Sequence, residues 1–306
     1  MSIIDISTGV TNARVETLDF DQVDSQAQSL RERGVRLYPN RKPSRDLEPE
    51  DVAINPHGTE ARVVLQEQNA LAEVDLRNHA PTGIQALDTT DYATAGQGLD
   101  ATSDGKIKIR NHPIKGLYQP DQMGAYAVGG ETYYVTANEG DGEIEELVSF
   151  GARSFAIWDS AGNRVFKSGS EFAEIQTERI PTGCNSDDEA NTLDAVSNEA
   201  SPEVEGMVRG RINGAMHAFV GLGKPGGVMV YNIATPENAR FVAYFNNRVF
   251  ELPLQDPDGT PNTDAGDSGP EGVALIPRTA SAIDAPMLAT GNEISGSVTL
   301  WAFATR

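Results

Sequence analysis

The sequence predicts an all-β protein built as a β-propeller, in which four-stranded antiparallel sheets, called blades, surround an axis. Three observations predict this fold: a turn with an acid at a fixed place recurs along the chain, short apolar strands follow each turn, and no stretch has a long 3.6-residue period. Each blade buries its faces by stacking on the next. A β-sandwich with long loops is the alternative that this pattern leaves open.

The recurring turn carries the acids Glu50, Asp121, Glu205 and Glu271, each of which leads into a short apolar strand. A proline stands directly before Glu50, Asp121 and Glu271, whereas the turn at Glu205 matches without it. A sandwich does not need the same opening turn four times, so the repetition favours the propeller.

Up to three further strands are predicted after each turn. Second strands are expected at residues 62–65, 133–136, 217–220 and 286–289. Third strands, whose apolar residues alternate as in a half-buried strand, are expected at residues 2–6, 71–75, 154–158, 228–232 and 298–302. More polar fourth strands are expected at residues 13–20, 82–87, 163–168 and 239–245. Residues 22–33 have a weak i, i+4 pattern that predicts one short helix.

These strands predict a single propeller domain over residues 1–306 with an incomplete ring of four near-complete blades and a leading half blade. The half blade is residues 1–20, and the blades are residues 48–87, 119–168, 202–247 and 269–306. We interpret the long segments 88–115, 185–201 and 254–269 as solvated surface loops. The first predicted blade lacks its first two strands and the last lacks its fourth, which suggests the C-terminal portion of a longer propeller. The open sheet edges of such an incomplete ring predict self-association.

The composition excludes several partners. The chain has 306 residues with 45 Asp and Glu against 24 Lys and Arg, giving a formal net charge of −21. Such a chain lacks the clustered cations that nucleic acids or anionic membranes require, whereas it suits divalent cations. No apolar run is long enough to span a bilayer, and no signal peptide is visible after Met1. A lone cysteine, Cys184, excludes internal disulfides and multi-cysteine metal sites.

The repeated acids predict a cation site. The innermost strands of a propeller line its channel, so we expect Glu50, Asp121, Glu205 and Glu271 to converge there from successive blades. The ends of the second strands add Glu67, Glu139 and Glu293 as another tier. Carboxylates that face one another either raise their pKa values or take a cation, and Ca²⁺ accepts many hard oxygen ligands in loose geometry. The alternative is that each acid caps its own turn by accepting backbone N–H groups.

Other motifs are weaker. Residues 100–107 have the Asp-Gly of a calcium loop without its full alternation of acids, so an ordinary turn is favoured. Asp256, Asp258 and Asp264 are weaker still. Arg153 is a candidate phosphate contact, with an ion pair to Glu139 or Asp141 as its structural alternative. No nucleophilic triad is visible, and the glycine-rich residues 221–227 lack the sequence of a phosphate-binding loop.

Several segments resemble the choice-of-anchor I family, and together they cover nearly the whole chain. They are residues 116–121, 133–141, 149–155, 226–231 and 269–272. That family includes mesenchyme-specific cell-surface glycoproteins linked to biomineralisation and bacterial proteins labelled alkaline phosphatase-like. The resemblance implies an exported, often surface-tethered, seven-bladed propeller of which this chain lacks the first two to three blades. Relatives also carry a longer insertion after Asp141, where only residues 142–148 intervene here.

Two functions remain open from the sequence. The first is an extracellular or cell-surface calcium-binding propeller that acts as a binding or adhesion module. The second is a Ca²⁺-dependent phosphoesterase, in which bridging ions activate water and neutralise phosphate. Its candidate residues are Glu50, Asp121, Glu139, Glu205, Glu271 and Arg153. Divalent cations are the expected partners in both cases, with phosphate esters or surface ligands beside them.

Overall fold

The computed structural model describes residues 1–140, 151–199 and 201–304, which form six antiparallel sheets and few helices. The all-β prediction is therefore confirmed at this level. Where the sequence predicts a single domain, the chain divides into two compact units, Met1–Asp88 and Thr89–Arg306. Each unit is described by itself below, as unit 1 and unit 2.

Unit 1 contains a hairpin and a four-stranded meander. The hairpin joins β1 (Ser2–Asp5) and β2 (Arg14–Thr17). The meander runs in chain order through β3 (Pro49–Ile54), β4 (Glu60–Leu65), β5 (Ala70–Asp75) and β6 (Ala80–Ala86). A 3₁₀ turn at Asp21–Gln26 continues into α1 (Ala27–Glu32), where the sequence predicts a short helix.

The core of unit 1 lies on one face of its meander. Leu30 of α1 and Val35 pack with Val63, Leu65 and Val74, all of which are buried. Each such side chain contributes about 1.5–3 kcal/mol when it leaves water completely. The alternation of apolar residues in β4 and β5 thus holds the helical segment against the sheet.

The described part of unit 2 contains two four-stranded meanders, one three-stranded meander, a small two-stranded sheet and a helix. Its first strands pair as β7 (Thr89–Asp91) with β8 (Lys115–Leu117). The first meander is β9 (Pro120–Val128), β10 (Glu131–Asn138), β11 (Ser154–Asp159) and β12 (Arg164–Lys167). The second is β13 (Val204–Ile212), β14 (Ala215–Leu222), β15 (Val228–Asn232) and β16 (Arg240–Phe245). The third is β17 (Pro270–Ile276), β18 (Met287–Asn292) and β19 (Ser297–Ala302).

Apolar layers between successive meanders form the core of unit 2. Phe155 of β11 lies between the first two meanders, with its ring 4.6 Å from that of Tyr231 and 6.1 Å from that of Phe172. Phe219 and Val230 of the second meander pack with Leu288 of the third. The first strands β9, β13 and β17 lie side by side, which brings the starts of the three meanders together.

The structure corrects two sequence predictions about loops and helices. Residues 88–115 and 185–201 are not purely solvated loops, because they bury Tyr92, Leu99 and Val196. The helix α2 (Glu171–Arg179) has no convincing helical period in the sequence; it begins after Ser170, whose hydroxyl donates to Glu174 at 2.7 Å. The two described α-helices have six and nine residues, and neither could cross a membrane.

The single cysteine lies in the core of unit 2. Cys184 is fully buried, and burial raises the pKa of its thiol to about 11. Its sulfur lies 3.5 Å from the hydroxyl of Thr177 on α2. A thiol in this setting behaves as a small apolar group and stays protonated at neutral pH.

Candidate functional site

Each repeated acid stands in a β-bulge at the start of a first strand. In β3, β9, β13 and β17 the strand holds one residue more than its partner just beyond Pro49, Pro120, Val204 and Pro270. A bulge bends the strand and re-aims the side chain at that point. The recurring turn therefore has a structural counterpart, which turns Asp121, Glu205 and Glu271 away from regular pairing.

Three carboxylates of unit 2 come within the reach of one ion. Oxygens of Glu139, Glu203 and Glu205 all lie within 4.8 Å of one another, and the three residues are half-buried. Glu139 directly follows β10, Glu205 stands in β13, and Glu203 precedes β13. Since Ca²⁺–oxygen distances are about 2.3–2.6 Å, two oxygens on one ion lie up to about 5 Å apart. The spacing of this group, called the acidic cluster below, meets that limit.

Glu205 is a carboxyl of the cluster for which the ionised form is strongly disfavoured. Burial and, after it, the carboxylates of Glu203, Glu139, Asp121 and Glu271 together raise the pKa of Glu205 to about 9. In the absence of a cation this carboxyl therefore holds a proton at neutral pH. A divalent cation would replace that proton, because an opposite charge favours the ionised form.

Glu271 and Glu293 form the outer part of the same neighbourhood. Partial burial raises the pKa of Glu271, and a hydrogen bond and the charge of Glu293 raise it further, as does the charge of Glu203. The ionised form of Glu271 is therefore disfavoured where β17 faces Glu293 at the end of β18. Both residues are exposed, so a cation could reach this side from solvent.

Lys224 places one ammonium group against the acidic cluster. Its Nζ donates to Glu203 at 3.1 Å, and both side chains are largely buried. Burial opposes the charge on Lys224, but Glu203 and then Asp188 and Asp187 raise its pKa overall. This single positive charge offsets part of the cluster's negative charge and leaves Glu205 with its raised pKa.

The backbone around the cluster leaves room for its carboxylates. A side chain at Gly223 would place its Cβ 2.6 Å from an oxygen of Glu205 and 2.7 Å from an oxygen of Glu203. The N–H of Gly223 donates to the carbonyl of Glu203 at 2.8 Å, and Glu203 has a φ of 51°, a region that few residues other than glycine adopt. A side chain at Gly223 would therefore displace the carboxylates of Glu203 and Glu205 from these positions.

The side chain of Gln122 links the first strands of the three meanders of unit 2 by hydrogen bonds. Its Oε1 accepts from the N–H of Met207 in β13 at 2.8 Å, and its Nε2 donates to the carbonyl of Glu271 in β17 at 3.4 Å. One side chain of β9 thus links the starts of three meanders. This link fixes the spacing from which Asp121, Glu205 and Glu271 project.

A choice-of-anchor I domain model matches residues 1–143 and 141–236, well over half of the sequence. The chain belongs to the choice-of-anchor I family. No curated protein matches the sequence. The resemblance found in the sequence is thereby confirmed, and the matched residues include the whole acidic cluster and Asp121.

Three solved structures show distant likeness to this choice-of-anchor I chain. A candidate 6-phosphogluconolactonase from Bacteroides uniformis is 11% identical, with 89% of this chain and 56% of that chain covered and a TM-score of 0.44. One from Bacteroides fragilis is 10% identical, with 98% and 62% covered and a TM-score of 0.41. The periplasmic gluconolactonase of Pseudomonas aeruginosa is 11% identical, with 84% and 66% covered and a TM-score of 0.35. The chain spans less than two thirds of these proteins, and likeness at this level carries no argument about activity.

The structure brings together five of the seven acids predicted from the sequence: Asp121, Glu139, Glu205, Glu271 and Glu293. Glu50 and Glu67 belong to unit 1, where Glu50 is exposed in β3 and Glu67 is half-buried after β4. Their part in a metal site stays a prediction. Sequence reasoning missed Glu203, although Pro202 stands directly before it and supplies the proline that the turn at Glu205 lacks.

Arg153 has a structural role in this choice-of-anchor I chain. It is 7% exposed, and its guanidinium donates to the carbonyls of Asp100 at 3.2 Å, Ser197 at 2.8 Å and Glu199. The predicted phosphate contact therefore has its donors already engaged by backbone oxygens. The alternative pairing with Asp141 concerns a residue outside those described, as do residues 142–148 of the shortened insertion.

The weaker calcium-loop candidates are ordinary turns in the structure. Asp100 accepts from the backbone N–H groups of Lys108 at 2.5 Å and Thr102 at 3.2 Å. Asp258 likewise accepts from the N–H of Thr260 at 3.1 Å. Carboxylates that accept neighbouring N–H groups are satisfied by the turn itself, so the acidic cluster is the better candidate site.

Proposed function

We propose that this choice-of-anchor I chain is a calcium-binding module whose ion is held by the acidic cluster of unit 2. One observation carries the proposal: three carboxylates lie within 4.8 Å of one another while the pKa of Glu205 is raised to about 9. Carboxylates so close together must hold either protons or a cation. At neutral pH and in the presence of calcium, the cation is the better solution.

The donor set favours Ca²⁺ among the common metals. Every ligand group in the cluster is a carboxylate, and hard cations prefer such oxygens, whereas zinc sites in proteins use sulfur or nitrogen ligands as a rule. Calcium also tolerates irregular geometry and several water ligands. Asp121 and Glu271 stand close enough to influence Glu205, so they are candidates for a second tier of ligands.

We further propose that the meanders of unit 2 are blades of a β-propeller and that the cluster stands at one end of its channel. The side-by-side first strands β9, β13 and β17 support this arrangement, since innermost strands line the channel of a propeller. The bulged acids all stand at the starts of these strands. An extracellular or cell-surface location and a binding or adhesion role follow from the family and stay part of the proposal.

The phosphoesterase alternative has less support. A phosphate site needs a free cationic side chain beside the metal ligands, but Arg153 is committed to backbone carbonyls. Lys224 is close to the cluster and is paired with Glu203. The binding module requires no such group and is therefore preferred.

Calorimetric titration of the full chain with Ca²⁺ tests the proposal. We expect wild-type protein to bind Ca²⁺ with release of protons, because Glu205 must ionise. Glu205→Gln and Gly223→Ala should each weaken binding by about tenfold or more, which corresponds to about 1.4 kcal/mol. Glu251→Gln, an exposed acid outside the cluster, is the matched control and should bind as wild type does.

The outcomes separate the two functions. If wild-type protein takes up no Ca²⁺, or if Glu205→Gln binds it as tightly, the proposed site is wrong. Hydrolysis of p-nitrophenyl phosphate that stops with a chelator and falls in Glu205→Gln would establish the esterase instead. Binding without turnover supports the module.

A further inference from the structure

The last strand of unit 2 has an edge of unusual composition. Each of the three four-stranded meanders ends in an outer strand that carries charge or proline: Pro81 in β6, Arg164 and Lys167 in β12, and Arg240 in β16. Such residues discourage a further strand from pairing. In β19 (Ser297–Ala302) there is no charged residue and no proline, although no described strand pairs with its outer side.

Hydrogen-bonding groups of three residues point out from this edge. The N–H of Phe303 donates to the carbonyl of Pro286 at 3.0 Å, and Ala302 lies opposite Met287. In an antiparallel pair, alternate residues direct their N–H and C=O groups to the same partner. Residues 297, 299 and 301 therefore bond to β18, while Val298, Leu300 and Ala302 direct theirs to the open side.

An apolar groove runs beside this edge, between β16 and β19. It has a volume of about 340 Å³ and is lined by residues that include Phe219, Val242, Phe245, Trp301 and Phe303. In the preceding layer, Phe241 and Tyr244 of the fourth strand β16 pack against the core between the first two meanders. The groove is thus the counterpart of a place that a fourth strand fills elsewhere in unit 2.

We propose that the edge of β19 pairs with the same edge of a second copy of this chain, so that two three-stranded meanders join into one continuous sheet. Identical edges in antiparallel pairing close after one contact, which gives a two-fold dimer. Strand addition of this kind combines main-chain hydrogen bonds with side chains seated in an adjoining groove.

Charge favours a second copy at this surface. The chain carries a formal net charge of −21, yet Glu293 is the one charged residue in the segment 286–304. Two copies therefore meet with the least repulsion along β18 and β19. Val298 and Leu300 are 74% and 55% exposed there, which adds apolar area that water disfavours.

Sedimentation velocity of the full chain over a wide concentration range tests the proposal, with high salt to screen the net charge. We expect wild-type protein to dimerise reversibly. Leu300→Pro removes one outward N–H without touching the ladder to β18, and it should weaken dimerisation by at least about tenfold. Leu300→Ala keeps that N–H and is the matched control, which should remain largely dimeric.

The two variants distinguish edge pairing from other contacts. Packing through the exposed face of the sheet would be weakened equally by Leu300→Ala and Leu300→Pro, and that result would overturn the proposal. A wild-type chain that stays monomeric would also overturn it and would leave the edge to a strand of another protein.

Hydrogen exchange covers the case in which Leu300→Pro fails to fold. In wild-type protein, the amides of residues 298, 300 and 302 should become protected as the concentration rises, while those of residues 297, 299 and 301 are protected throughout. Outward amides that exchange at the same rate at every concentration would contradict the pairing.

Discussion

Among the described residues of unit 2, Arg153 and Glu205 are ionisable groups removed from water in which the charged form is stabilised in different ways. Arg153 donates to three backbone carbonyls, whereas Glu205 stands among four other carboxylates. Burial opposes the charge in both cases, lowering the pKa of Arg153 and raising that of Glu205. The arginine finds its acceptors within the chain, while the acidic cluster must obtain a proton or a cation from solvent.

Arg248 follows the same rule as Arg153. Its guanidinium donates to the side chains of Asn191 at 2.9 Å and Ser268 at 3.2 Å, and to the carbonyls of Pro225, Asp187 and Ala190. Burial lowers its pKa to about 10. Arg153 and Arg248 find acceptors within the chain and so stabilise the fold. The carboxyl of Glu205 lacks an equivalent set of donors, which makes it a candidate ligand for a cation.

The largest expected effect on stability comes from replacing the buried Arg153. Arg153→Met should lower the free energy of unfolding by about 3 kcal/mol or more, because it leaves three carbonyls without donors and each costs about 1 kcal/mol or more. Urea denaturation measures this loss, which should be the same with and without Ca²⁺. Arg240→Met, at an exposed strand position, is the control. Equal effects of the two changes would remove the structural role assigned to Arg153.

The pH dependence of stability tests the other half of the comparison, the carboxyl of Glu205. The pKa of Glu205 is raised to about 9 in the folded protein from its ordinary value of 4.5, so between these pH values the folded state binds a proton that the unfolded state has lost. Without metal, stability therefore falls as pH rises through this range. Thermal melts of wild-type protein in a chelator should show this fall, and saturating Ca²⁺ should reduce it.

Glu205→Gln should flatten the same pH profile, since glutamine has no proton to lose. A residual slope is expected from Glu271, whose pKa is also raised. Glu251→Gln should leave the wild-type slope unchanged. If Glu205→Gln and Glu251→Gln give the same profile, the buried carboxyl does not have the pKa that the structure assigns to it.

The smallest expected effect comes from Lys224, the cation beside the cluster. Lys224→Met removes the ammonium that pairs with Glu203, so Ca²⁺ affinity should rise by about threefold to tenfold as a competing positive charge disappears. Stability without metal should fall at the same time. Calorimetry and thermal melts measure both, with exposed Lys115→Met as control. A lower affinity in Lys224→Met would show that the ammonium supports the site.

The repeat was readable from the sequence because its signals are local. Proline and an acid before a short apolar strand place Asp121 and Glu271, and alternation places strands such as β5 and β11. The bulges behind those acids are also local features of each pair of strands. A repeated local signal is therefore enough to identify the meanders and most of the cluster.

What the sequence did not reveal depends on distant contacts. Glu203 was overlooked because its place beside Glu139 arises only when β10 and β13 meet. The role of Arg153 depends on carbonyls at Asp100 and Ser197, which belong to two segments that look like plain loops. The helix α2 has weak periodicity because its buried side, with Phe172 and Gln176, is narrow.

The lone cysteine can report how fast unit 2 opens. Cys184 belongs to unit 2, where it is fully buried beside α2, and unit 1 has no thiol. A disulfide reagent can modify it only when unit 2 opens, because a buried thiol of raised pKa does not react. The labelling rate therefore times the opening of unit 2 alone, and its slowing by calcium would show that the ion closes the region around α2.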